Sequence, residues 1–156
     1  MRALIQRVNH AQVSVEGNIT GAIDRGFLVL LGVTEEDTDA DMEMLCDKML
    51  KLRIFSDEEG KTNCSLSDID GSLLVVSQFT LCADCRKGTR PSFSHAAPPD
   101  EANRLYEAFL ARCRETVKHV DSGVFGAHMK VELENDGPFT IWLDTDDLKK
   151  PRNPKT

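Results

Sequence analysis

A proline inside a run of strand-forming residues is hard to accommodate, and this chain has one near its end. Residues 129–133 (Met-Lys-Val-Glu-Leu) and 139–143 (Phe-Thr-Ile-Trp-Leu) both have strand composition. Between them stand Asp136, Gly137 and Pro138. Proline has no N–H to give to a ladder, so Pro138 is excluded from the interior of a central strand. Gly137 carries no Cβ, and a peptide bond ahead of proline can be cis or trans. The plain expectation is a hairpin turn joining two strands. A functional turn is the alternative, and it needs support from elsewhere in the chain.

The length, 156 residues, suits one domain that buries roughly two-thirds of its unfolded surface. No repeat, low-complexity block or linker divides it. The expected organisation is a single domain over residues 1–148 and a basic tail over 149–156, with Lys149, Lys150, Arg152 and Lys155. No apolar run is long enough to span a bilayer. Residues 1–9 carry two arginines and read as a strand, without the apolar core of a signal peptide. The expected location is the cytoplasm, with no membrane partner.

Five scattered cysteines (Cys46, Cys64, Cys82, Cys85, Cys113) fit a reducing compartment better than a disulfide framework. Cys82 and Cys85 form a C-x-x-C, but no second ligand pair accompanies them, and His95, His119 and His128 are isolated. No metal and no cofactor are expected. The net charge of −7 speaks against general nucleic-acid affinity. One local exception is Arg86-Lys87-Gly88-Thr89-Arg90, directly after a strand and suited to meeting phosphate. The basic tail reads as a solvated end.

Residues 3–8 and 12–16 read as two strands with Asn9-His10 between them, and Glu16-Gly17-Asn18 as a further turn. Residues 27–33 are apolar throughout, as in a strand covered on both faces. Residues 34–39 offer caps for a helix whose stripe is Met42, Leu45, Cys46, Met49 and Leu52. Residues 72–81 read as a strand ending in polar residues. Pro98-Pro99-Asp100 opens a second helix with the stripe Ala102, Leu105, Tyr106, Phe109 and Cys113. The expectation is an α/β fold: one layered domain, a mixed β-sheet with two main helices on one side, in the order β-β-β-α-β-α-β-β.

Ser77-Gln78-Phe79-Thr80 is the oddity of that strand. Three hydrogen-bonding side chains should not end so apolar a run unless they meet solvent, backbone or a ligand. Ser77 lacks the G-x-S-x-G elbow, and no Ser-His-Asp spacing, Walker A or G-x-G-x-x-G is present. Catalysis here would rest on positioned donors more than on an activated nucleophile.

Ser77-Gln78-Phe79-Thr80-Leu81 and Asn135-Asp136-Gly137-Pro138-Phe139-Thr140 resemble the two signature motifs of the D-aminoacyl-tRNA deacylases. The resemblance extends through Arg2-Ala3-Leu4-Ile5-Gln6-Arg7-Val8, Val13-Ser14-Val15, residues 28–33, Lys51-Leu52-Arg53-Ile54-Phe55, Arg90-Pro91-Ser92-Phe93 and Phe125-Gly126-Ala127-His128-Met129. Two departures are Phe139, where a smaller aliphatic residue is commoner, and the Cys82/Cys85 pair.

The resemblance implies a deacylase-like fold and hydrolysis of the ester between a D-amino acid, or glycine, and the terminal ribose of tRNA. It implies a homodimer, in which a Gly-cis-Pro turn (Gly137, Pro138) enters the other subunit's site at the interface and screens the substrate. Ser77, Gln78, Phe79 and Thr80 are then the catalytic group, with backbone N–H groups near Phe79 and Thr80 holding the carbonyl oxygen. Met129, Ala127, Arg86, Lys87 and Arg90 join Gly137 and Pro138 as substrate-binding candidates on the aminoacyl-tRNA CCA end. Two other readings stay open. One is an acyl-enzyme with Thr80 or Ser77 as nucleophile. The other is a non-enzymatic RNA- or protein-binding module, against which the lack of an aromatic-rich basic face counts.

Overall fold

In the computed structural model, which describes residues 1–153, the chain opens with one long strand, β1 (Arg2–Val15). Strand β2 (Asn18–Ile23) folds back on its far half and β3 (Gly26–Gly32) on its near half. Helix α1 (Asp39–Lys51) follows, then a small separate hairpin of β4 (Phe55–Ser56) and β5 (Thr62–Cys64). Strand β6 (Ser72–Ser77) lies parallel to β3 and ends in a single 3-10 turn at Phe79–Cys82. Helix α2 (Pro99–Arg114) leads to β7 (Val120–Ser122), parallel to β6. Strand β8 (Lys130–Asp144) runs antiparallel along β1, and the short helix α3 (Thr145–Leu148) follows. The mixed sheet is ordered β2-β1-β3-β6-β7, with β8 on β1.

Parallel crossovers share one hand, so two steps in the same direction, β3 to β6 to β7, put both helices on one face. That face holds the main core: Phe27, Val29 and Leu31 of β3 meet Leu45 and Met49 of α1 and Tyr106 and Phe109 of α2. Thr38 caps α1 in a reciprocal box, its hydroxyl accepting from the Asp41 amide while the Asp41 carboxylate accepts from the Thr38 amide. The opposite face of β3 and β6 is apolar too, through Leu28, Leu74 and Val76. It is covered by the sheet itself, which curls until β2 approaches β7. The Ala22 amide donates to Asp121 there at 2.8 Å, and a Cβ on Gly21 would meet the Ser122 carbonyl at 2.7 Å.

The strand pattern departs from the sequence reading in several places. The two opening strands are one, and the two closing strands are one, so Asp136-Gly137-Pro138 is not a hairpin turn. Residues 140–144 and 130–135 both pair with β1, and the breaks lie opposite each other. Gln6 faces Thr140 and Val8 faces Asn135, so Arg7 alone spans what β8 crosses in Asp136, Gly137, Pro138 and Phe139. Asn9 is then the extra residue on β1, between Val8↔Asn135 and His10↔Glu134. Such bulges exchange the faces of a strand. Ala3 and Ile5 accordingly pack on the helix side, whereas Val8, Ala11 and Val13 pack on the other. Pro138 fits because β8 pairs on one side only and the loop leaves the ladder.

A further departure is that β2 occupies residues that follow an expected turn, and the short β7 was not foreseen. Another is that β6 ends at Ser77, not at residue 81, because the backbone turns into the 3-10 conformation. No described helix is long and apolar enough to cross a membrane.

Candidate active site

At the carboxyl end of β6 a cavity of about 820 Å³ opens between the start of α2 and the loop joining β7 to β8. Strand ends of parallel sheets are where such sites gather. Ser77, Gln78 and Phe79 form one wall, and Ala127 and Met129 another. Met129 is held close by the absence of a side chain on Gly123, where a Cβ would meet the Met129 sulfur at 2.5 Å.

The wall at Ser77–Phe79 is built by the way β6 stops. The Gln78 amide still donates to the Leu31 carbonyl at 2.8 Å, as the last rung of the ladder with β3. The chain then bends, and the Leu81 amide donates back to the Gln78 carbonyl at 3.2 Å. The first amides of any helical turn have no partner within it. Here those are Phe79 and Thr80, and among the described residues neither amide donates to an acceptor. Two adjacent main-chain donors therefore stand unused, one on Phe79 in the cavity wall and the next on Thr80 just beyond it. The Gln78 side-chain amide donates to the Thr80 hydroxyl at 2.5 Å. Thr80 itself is exposed and lies off the cavity lining. Phe79 is 56% exposed and meets Phe93 edge-on, with ring centres 5.0 Å apart.

Among the described residues no hydrogen-bonded nucleophile–base pair accompanies these donors, although Glu35 and His128 also line the cavity. Among the described residues, no histidine or carboxylate is hydrogen-bonded to Ser77 or Thr80, and no group of three potential ligands is arranged for a metal. Cys82 is buried, its thiol pushed up by that burial and donating to the Val33 carbonyl, while Cys85 is exposed. The two thiols of the C-x-x-C thus stand in different environments.

The basic segment 86–90 forms the tip of a loop closed at its base by Asp84 and Ser92, which exchange backbone bonds of 2.7 and 2.9 Å. Phe93, next in the chain, lines the cavity, so the loop is rooted at the rim. Arg86 turns back on Asp84 in a two-pronged pair, at 2.9 and 2.7 Å, and holds that carboxyl well below the usual carboxylate range. Lys87 and Arg90 are exposed and form no ion pair among the described residues. In the tail, Lys149 pairs with buried Asp41 at 2.5 Å and Lys150 with Asp147 at 2.9 Å. Lys155 lies outside the described residues.

Gly137 and Pro138 are exposed at the tip of the bulge, joined by a cis peptide, and do not line this chain's own cavity. The loop is braced from both sides. The Arg7 Nε–H donates to the Asp136 carbonyl at 3.1 Å, another of its N–H groups donates to the Ile54 carbonyl at 2.8 Å, and its guanidinium lies 4.7 Å from the Phe139 ring centre. The Asn135 side-chain amide donates to the carbonyls of Arg7 (2.9 Å) and Phe139 (3.0 Å), closing the loop's neck.

Residues 4–144 match the family model described as D-Tyr-tRNA(Tyr) deacylase. The chain belongs to that family. A D-aminoacyl-tRNA deacylase of Thermosipho africanus (strain TCF52B) is 57% identical over 145 residues, 93% of this chain and 97% of that protein. One from Thermus aquaticus is 56% identical over 153 residues, 98% of this chain and 99% of that protein. The solved structure of the c-Myc DNA Unwinding Element Binding Protein aligns with a TM-score of 0.88 at 44% identity, covering 92% of this chain and 98% of that one.

Within this D-Tyr-tRNA(Tyr) deacylase family member, one chain brings together Ser77, Gln78, Phe79, Ala127 and Met129. It places Thr80 just outside them, Arg86, Lys87 and Arg90 on a loop beyond the rim, and Gly137-Pro138 elsewhere on the surface. Sequence reasoning missed Arg7, which looked like one more residue of an opening strand. It also missed the cavity's far wall, where Phe93, Ala102 and Phe125 sit. Phe93 and Phe125 lie in segments that carry the family resemblance, but nothing in their local pattern marked them as lining a site.

Proposed function

We propose that this chain hydrolyses the ester linking a D-amino acid, or glycine, to the 3′-terminal ribose of tRNA, in the cytoplasm and as a homodimer. The observation that carries this reading is the pair of unpartnered amides on Phe79, in the cavity wall, and Thr80, beside it, with no hydrogen-bonded nucleophile–base pair at them among the described residues. An α-amino ester is already labile. Two fixed N–H donors on its carbonyl oxygen stabilise the charge that develops as water attacks, and one such donor is worth about 10²–10³-fold in rate. The substrate's own 2′-hydroxyl, held beside the carbonyl, assists that attack. The carbonyl carbon gains the water oxygen, the ribose oxygen leaves with a proton, and the products are a free amino acid and intact tRNA.

Chirality is screened by main chain. The Gly137-Pro138 loop of one subunit enters the cavity of the other and occupies the space an L-side chain would need. A backbone obstacle rejects every L-residue whatever its chemistry, which a side-chain pocket could not do. Glycine has no side chain to clash and is cleaved. Proline fixes φ and Arg7 holds the loop's start, so the obstacle is rigid. Lys87 and Arg90 supply local positive charge for the CCA-end phosphates on a protein whose net charge is −7.

The test is deacylation of matched D-, L- and glycyl-tRNA, with and without a chelator. Hydrolysis of the D- and glycyl esters, with the L-ester spared and no effect of chelator, supports the reading. Inertness toward all three favours a binding module.

A further inference from the structure

The two donor amides sit on a turn of only four residues, and a turn that short does not hold its own position. Rate enhancement by preorganised donors requires them to be fixed to within about 0.5 Å. Something outside the turn has to supply that rigidity, and three contacts converge on it. Gly32, on β3, lies beneath it: a Cβ there would meet the Gln78 carbonyl at 3.1 Å and the Leu81 Cβ at 3.0 Å. The Gln78 amide ties the start of the turn to Leu31. The third contact comes from the other end of the chain. Arg2 stands in register with Gly32 on one side and Asp144 on the other. Its Nη1–H donates to the Leu81 carbonyl at 2.9 Å, and its Nε lies 3.3 Å from an Asp144 carboxylate oxygen.

The geometry points to Arg2 and Asp144 as a positioning pair for the deacylation, holding the Phe79–Thr80 donors against β3. Neither residue lines the cavity, so neither touches the substrate. Asp144 is itself fixed, because its other oxygen accepts from the Asp146 amide at 2.9 Å at the start of α3. The Arg2 Nε is buried and has no hydrogen-bond acceptor among the described residues, so the Asp144 carboxylate meets that edge of the guanidinium through charge while Nη1 holds the Leu81 carbonyl. A bond to a charged donor is the stronger kind, and the Leu81 carbonyl is one residue beyond the second donor amide. A guanidinium is also planar and forked, so it spans carbonyl and carboxylate together where a lysine ammonium reaches one.

This inference rests on the reading of the Phe79 and Thr80 amides as the donors to the ester carbonyl. The experiment is steady-state deacylation of D-tyrosyl-tRNA by wild type, Arg2→Ala, Arg2→Lys and Asp144→Asn. Arg2→Ala should lower kcat by about 10- to 100-fold, with KM changed less than about threefold, since the donors act on the reacting carbonyl and not on ground-state binding. Millimolar guanidinium ion should restore part of that rate, and Arg2→Lys should fall between wild type and alanine. Asp144→Asn keeps a cap for the Asp146 amide but removes the charge, and should lower kcat about threefold or more. A wild type inert toward D-tyrosyl-tRNA would remove the donor reading and this inference with it. An active wild type, with Arg2→Ala within twofold of its kcat or unanswered by guanidinium, overturns the positioning pair alone. Should Arg2→Ala not fold, Asp144→Asn decides: an unchanged kcat overturns the pair.

Discussion

Arg7 and Asp136 face each other across the β1–β8 ribbon, the Arg7 Nε–H donating to the Asp136 carbonyl oxygen at 3.1 Å. The bond lies where one residue of β1 spans four of β8, so Arg7, with Asn135 at the neck, sets the course of the exposed Gly137-Pro138 loop. Arg7→Ala should lower stability by about 1–3 kcal/mol, since it leaves the partly buried Ile54 and Asp136 carbonyls without their donors. It should also narrow the ratio of D- to L-aminoacyl-tRNA hydrolysis in protein that remains folded. Urea unfolding measures the first and paired deacylation rates the second. A destabilised variant with undiminished discrimination would separate the loop's brace from its screening role.

Thr80→Ala should keep much of the wild-type kcat, because the proposed contribution of that residue is its amide, which alanine retains. Its hydroxyl accepts from the Gln78 side chain and has no base beside it. A fall on the order of 10³-fold with folding intact, or an acyl group trapped on Thr80, would favour the nucleophile mechanism.

Charge on the 86–90 loop is not evenly available. Asp84 already answers Arg86, whereas Lys87 and Arg90 stand without ion pairs among the described residues. Lys87→Gln with Arg90→Gln should raise KM for aminoacyl-tRNA and flatten its salt dependence by about 0.7 in slope for each single-strand phosphate no longer neutralised, with kcat nearly unchanged. Arg86→Gln should do less. Equal effects from both changes, or from Lys150→Gln in the tail, would mean the loop has no special place at the site.

Much of this architecture can be read from residues in order. The apolar run at β3 is apolar because both its faces are covered, and the capped α1 and Pro-led α2 carry stripes that pack where helical periodicity puts them. What escapes a linear reading is the meeting of two interruptions. Asn9-His10 and Asp136-Gly137-Pro138 each look like a turn between strands, and only pairing of β1 with β8 makes them opposed bulges in one ribbon. The same limit hid Arg2 and Arg7, whose partners lie 79 and 129 residues away in sequence. Ser77 and Gln78 were legible as cavity residues because polar residues ending an apolar strand need an explanation. The turn that frees two amides was not, since residues 72–81 carry no breaker where the strand gives way to the 3-10 turn.

The central claim is that main chain at Gly137-Pro138 tells D from L, and the most direct measurement uses one substitution on three substrates. Gly137 has a positive φ of 132°, and a Cβ there would lie 3.1 Å from both the Arg7 guanidinium and the Phe139 amide nitrogen. Gly137→Ala therefore shifts the loop. With folding and the proposed dimer both checked, single-turnover deacylation of D-, L- and glycyl-tRNA should show the wild type cleaving the D- and glycyl esters and sparing the L-ester. The variant should lose that separation, or lose activity on both esters together if the loop also orders the opposite cavity. An unchanged preference for the D-ester at an unchanged rate, with only stability reduced, would contradict the account.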